Sequence, residues 1–147
     1  TLRSSSAASD VYKRQEYLDI ISIVSHLARS DGDVADSEKK VLMTLFKAIG
    51  VTKEEQAAMK TKTSIGALLE EIQSDEAKSA LVDTLALVAG ADGVFEDEER
   101  AFITKVMTRI GMEPSEHHYF QDGGDLDIKT VRANVKQILE SLKSATS

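Results

Sequence analysis

Two stretches decide the fold: Ala28-Arg-Ser-Asp31-Gly32-Asp-Val-Ala-Asp36-Ser-Glu38-Lys-Lys40 and Ala89-Gly-Ala-Asp92-Gly93-Val-Phe-Glu-Asp97-Glu-Glu99-Arg-Ala101. They are the same thirteen-residue pattern, 61 residues apart, with Ala, Asp, Gly, Asp and Glu at matching places. The correspondence continues downstream: Ile49-Gly50-Val51 answers Ile110-Gly111-Met112, and Glu55 answers Glu116. Each copy reads as the end of one helix, a tight turn and the start of the next. Gly after the Asp supplies the left-handed conformation that closes many helices, and carboxylates then gather where the following helix exposes its first amide groups.

Working outward from the copies, apolar residues recur at helical spacing. Tyr17, Ile20, Ile21, Val24, Leu27 and Ala28 form one stripe of a first helix spanning about 17–30. A second helix from Asp36 buries Val41, Leu42, Leu45, Phe46 and Ile49 and stops at Gly50. Thr52 and Glu55 have the spacing of a capping box, which starts a third helix at Lys53. Ser64 caps a fourth. The second half repeats the plan, with a helix from about Asp75 that buries Leu81, Val82, Leu85, Val88 and Ala89, and another that buries Phe102, Ile103, Val106, Met107 and Ile110. Pro114 suits the first position of a seventh helix, which would carry His117 and His118 exposed or partly packed. Gln121 to Asp125 is a loop, and Asp127 caps a last helix through about Lys143. The expectation is an all-α single domain of seven or eight helices, built from two pseudo-symmetric hairpin repeats at about 17–73 and 75–143.

Composition agrees. The chain has 147 residues, 41% apolar and 29% charged, with a single proline, which suits one globular domain with a real core. Residues 1–15 lack an apolar pattern and read as a non-native or disordered tail outside the domain at 16–147. There is no cysteine, so disulfides and thiolate metal sites are excluded. No apolar run reaches the roughly 20 residues of a membrane span, so direct membrane insertion is not expected. A net charge of -7 without a basic stripe argues against nucleic acid and favours cations or basic partners.

The carboxylates are the candidate site. Asp31 and Asp92 extend the buried stripes of the first and fifth helices, while Glu38 and Glu99 extend those of the second and sixth from their first turns. Charges at the ends of core-facing stripes need partners. Helix-end amides would satisfy them in a purely structural role. A divalent cation would also do so, and an all-oxygen donor set suits calcium, magnesium or manganese. Asp33, Asp36, Glu96, Asp97 and Glu98 would stand at the rim of such a site. One shared site and two separate sites both fit the sequence. An EF-hand register fails, because Ala35 and Leu42 fall where ligands belong. Adjacent His117 and His118 point about 100° apart on a helix and make a poor zinc pair. Phosphate loops and nucleophile elbows are missing, so no enzyme is expected.

The Ala-x-x-Asp-Gly-x-x-x-x-x-Glu pattern resembles the tellurite-resistance TerB family, in which an Ala-Asp-Gly turn is followed by Glu seven residues after the Asp. That spacing is kept from Asp31 to Glu38 and from Asp92 to Glu99; Ala91 gives the second copy the family form, and Ser30 replaces this Ala in the first. The resemblance covers residues 16 to about 143. It implies an all-helical bacterial domain, cytoplasmic, with a role in stress response and tellurite resistance and a divalent-metal link through the acidic residues. Similar domains precede the J-domain of membrane-anchored co-chaperones, which implies protein partners, including membrane-associated stress proteins. As an alternative, the domain is an interaction scaffold whose acidic residues only cap helices.

Overall fold

In the computed structural model the described residues are 2–28, 36–61, 64–91, 93, 95–113, 117, 119, 120 and 125–146. They form eight α-helices: α1 (Leu2–Ala28), α2 (Asp36–Ile49), α3 (Lys53–Thr61), α4 (Ile65–Glu71), α5 (Asp75–Ala89), α6 (Asp97–Arg109), α7 (Ile128–Ala133) and α8 (Val135–Thr146). The all-α expectation holds, with one isolated antiparallel bridge between Phe120 and Leu126.

The first helices of the two repeats, α1 and α5, pack against each other more extensively than any other pair. Both are buried well beyond a single stripe. Tyr17 to Val24 are all buried in α1, as are Leu81, Val82 and Thr84 to Ala89 in α5. A helix that is apolar most of the way round belongs at the centre of a bundle. Here α2, α4 and α8 pack on α1, and α6 and α7 on α5. The amphipathic α2 and α8 also pack on one another, with Leu45, Ile49, Ile138 and Leu142 in the common core.

The ends of the helices follow the sequence closely. Gly50 and Gly111 have φ of 69° and 78°, and each closes its helix in the same way. Val51 N donates to Phe46 O at 3.1 Å and Met112 N to Met107 O at 2.8 Å, while the glycine amides reach Lys47 O and Thr108 O, both at 3.2 Å. These are paired Schellman closures. The Thr52–Glu55 capping box is present, with reciprocal bonds of 2.9 and 3.1 Å. Ser64, Ser74 and Asp127 accept amide hydrogens at the starts of α4, α5 and α7.

Three expectations need correction. The helix expected from Pro114 is not seen in the described part of its span: Pro114 lies outside the described residues, and His117, Tyr119 and Phe120 are non-helical. Asp127 N donates to Tyr119 O at 2.9 Å, which folds this segment back beside the bridge. The last helix is split at Asn134, whose amide turns to Val131 O at 3.0 Å and whose side chain donates to Thr130 O at 2.9 Å, ending α7 before α8 begins. Finally, α1 starts at Leu2, so the helix continues through the stretch expected to lie outside the fold. Arg14, inside that stretch, reaches Glu55 at 2.7 and 2.8 Å and the carbonyls of Ile49 and Gly50 at 3.3 and 3.0 Å.

Candidate functional site: the acidic helix starts

The two acidic copies lie between α1 and α2 and between α5 and α6. In the first, Asp31 and Asp33 lie outside the described residues; Asp36 is exposed at the start of α2, and Glu38, one turn in, is only 5% exposed. In the second, Asp92 lies outside the described residues, Glu96, Asp97 and Glu98 are exposed, and Glu99 is 6% exposed. The repeat thus places one carboxylate per copy out of water, at the same point of the helix that follows the turn. The stripe argument anticipated this: each Glu sits one turn before an apolar pair, Val41 and Leu42 or Phe102 and Ile103.

The second copy shows what holds such a carboxylate. Glu96 and Glu99 form a capping box in which Glu99 Oε1 accepts from Glu96 N at 3.1 Å. The bond uses an amide that the helix leaves without an intrahelical partner, and the negative charge lies at the positive end of the α6 dipole. Upstream, Gly90 closes α5, and Gly93 turns the chain with φ of 79° while its amide donates to Gly90 O at 3.2 Å. Arg132 of α7 comes close to this turn, its Nη1 lying 3.3 Å from where a Cβ on residue 93 would stand. Beyond it, Arg100 pairs with Asp125 at 2.6 Å and lies over the Phe95 ring at 5.6 Å. Among the described residues no group of three or more His, Cys, Asp or Glu gathers in a way that could hold a metal.

A second polar cluster lies on α5. Asp83 interrupts an otherwise apolar run, and its Oδ1 is 2.8 Å from Nε2 of His117, without the alignment of a full hydrogen bond. His117 is 5% exposed, which corrects the expectation of an exposed or half-packed residue. Its Nδ1 accepts from Tyr119 N at 3.2 Å, which leaves Nε2 as the ring nitrogen that faces Asp83. Tyr119 and Phe120 pack on the imidazole with ring centroids 5.6 and 5.8 Å away. On the other side of Asp83 a cavity of about 290 Å³ is lined by Tyr17, Glu76, Ser79 and Ser141. Burial, with the charges of Glu76, Glu16 and Asp83 adding to it, pushes the Tyr17 phenol up to about 12. Burial and Asp83 raise Tyr119 as well. Both phenols stay protonated at neutral pH, so neither serves as a base. The Asp within the Leu81–Ala89 run was the available signal for this cluster; nothing in the sequence pointed to His117 as its partner.

Residues 52–121 match the family model of the tellurite resistance protein TerB. This match supports a TerB-family assignment for the chain. The matched segment begins at the Thr52 cap of α3, runs through α6 and contains the whole second copy, from Ala89 to Ala101. The first copy, with Ser30 before its Asp, lies outside it. No match was found among curated proteins or among solved structures. No helix among the described residues is long and apolar enough to cross a membrane.

Proposed function

We propose that the chain is a non-enzymatic stress-response domain of the tellurite-resistance type that takes up a divalent cation at its repeated acidic turns. The observation that carries this reading is the matched burial of Glu38 and Glu99. A helix-start carboxylate gains its dipole and amide contacts without leaving water, so burial in both copies exceeds what capping asks for. Because the described residues alone gather no metal-binding group, the reading requires Asp31 and Asp92 as partners of Glu38 and Glu99, with Asp33, Asp36, Glu96 and Asp97 at the rim. The donors are all oxygen, which suits calcium, magnesium or manganese. The bound ion would neutralise carboxylates that otherwise repel one another. We further propose a cytoplasmic location in a bacterial cell and protein partners that include membrane-associated stress proteins. Titration calorimetry with each ion is expected to give a heat that the Asp31→Asn/Asp92→Asn double variant loses. Absence of heat up to about 1 mM ion, the weak end of protein calcium sites, would overturn the reading.

The Glu99–Glu96 bond favours a second reading, in which the acidic residues only cap helices and the domain is a protein-interaction scaffold. Glu99→Gln separates the two, because the amide oxygen still accepts from Glu96 N but binds a cation poorly. The capping reading expects a loss of no more than about 1 kcal/mol in this variant, from the missing charge at the helix start, and no response to chelator; the cation reading expects weakened ion binding.

A further inference from the structure

An open groove of about 970 Å³ runs between α4 and α6. Ile65, Leu69, Phe102 and Val106 supply its apolar surface, and Lys105 and Arg109 stand along it, exposed and one helical turn apart. Arg109 reaches across to α4, where its Nη2 lies 3.1 Å from the position a Cβ would take on Gly66. Asp97 and Arg100 mark the other end, and Arg100 is engaged by Asp125. Within α6 neither Lys105 nor Arg109 has an acidic residue three or four positions away. Two cations beside an apolar trough are notable on a chain of net charge -7.

We infer that this groove receives an amphipathic helix of a partner protein, with apolar residues seated between α4 and α6 and Asp or Glu on the flank facing Lys105 and Arg109. Charge complementarity selects the occupant: a second acidic surface is the natural counterpart of this basic edge, whereas the rest of the chain would repel it. The dimensions select its form. From Asp97 to Arg109 the groove follows α6 for about 18 Å at 1.5 Å per residue, the length of about three helical turns, and a partner helix laid in an apolar groove is a recurrent recognition mode. A small molecule fits less well, because exposed Ala101, Thr104, Lys105 and Thr108 leave the trough open along its length. This inference does not depend on cation uptake at the acidic turns.

The test uses the full chain and a displayed library of helical peptides with a fixed apolar stripe and randomised flanks. Selection is expected to enrich Asp and Glu on one flank. Fluorescence polarisation of the enriched peptides should show at least tenfold weaker binding to Lys105→Glu/Arg109→Glu, with a preference for basic-flank peptides gained. Both positions are exposed, and an unchanged circular dichroism melt verifies that the variant folds. Ala101→Arg, which obstructs the trough without removing either cation, should weaken both peptide classes. Failure to enrich any peptide would overturn the inference, as would binding indifferent to these variants. Enrichment of basic flanks would overturn the charge assignment. Sedimentation showing a dimer that Lys105→Glu/Arg109→Glu dissociates would replace the partner with a second copy and overturn the choice of occupant. The readings at the acidic turns are scored separately, since none of these positions is a proposed cation ligand.

Discussion

Replacing Glu55 with Gln removes one charge from the clasp that joins α1 to the α2–α3 connection. Arg14 holds this carboxylate from two sides, Nε at 2.8 Å and Nη2 at 2.7 Å, and also reaches two carbonyls at the end of α2. The Arg14 hydrogen bonds, with help from Thr52, pull the Glu55 carboxyl from its ordinary 4.5 down to about 2. At 1.36 kcal/mol per pKa unit such a shift corresponds to about 3 kcal/mol. The side chains keep 31% and 22% of their surface in water, so screening reduces the figure, and about 1 kcal/mol is the realistic value. For a chain of this size that is roughly 3 °C in Tm.

The pH dependence gives the sharper test. The folded pKa lies below the unfolded one, so the stabilisation is complete above 4.5 and is lost as pH falls from there toward about 2. Wild type and Glu55→Gln should therefore differ by the full amount at neutral pH and converge on acidification, with more than half of the gap gone by about pH 3. Urea titrations at a series of pH values measure this. Arg14→Ala should reproduce the loss, and the double variant should be less than additive by about 1 kcal/mol, as expected for contacting residues. A gap that stays constant with pH would refute the electrostatic reasoning. Neutral behaviour of both single variants would show that the Arg14–Glu55 clasp contributes nothing to stability.

Two further perturbations address the turn after α5 and the polar cluster on that helix. Gly93→Ala forces a side chain into a φ of 79° and toward Arg132, and is expected to cost about 1–2 kcal/mol in thermal denaturation; an unchanged Tm would mean the turn relaxes to another conformation. His117→Ala removes a buried ring that packs on Tyr119 and Phe120 and faces Asp83, and should cost about 2–4 kcal/mol. Its effect should overlap with that of Asp83→Ala in a double-mutant cycle, and strict additivity would count against the pairing.

Most of the helical frame was legible because it rests on local chemistry. Core stripes, a Gly closing each of α2 and α6, and Ser, Thr or Asp at helix starts act within a few residues of each other, and the spacing alone reveals them. The copies even share the detail of their closure: Gly50 and Gly111 each bring the next residue's amide back to the fifth carbonyl before it. What the sequence concealed depends on long-range pairing. His117 became a buried residue because Asp83, 34 positions earlier, sits in the apolar run of α5 and faces it. Arg14 joined the fold because Glu55 and the α2 carbonyls meet it from 35 to 41 positions away. No periodic pattern announces either contact. Pro114 pointed to a helix, yet the chain beyond it uses its backbone groups at the Phe120–Leu126 bridge and at Tyr119 O instead. A helix-start preference worth a few tenths of a kcal/mol does not prevail over those tertiary bonds.

The duplicated acidic motif therefore separates into two kinds of information. Its outer residues, Asp36, Glu96, Asp97 and Glu98, stand in water and tune the field at the helix starts. Its terminal Glu is different in both copies, because the same register that makes it a first-turn residue also aligns it with the core stripe. A substitution at Glu38 or Glu99 consequently acts on packing and charge together, and loss of function on replacing either with Ala would not by itself identify a ligand. The Asn and Gln replacements carry the discrimination, since they preserve volume and a hydrogen-bond acceptor while removing the charge that a divalent ion requires.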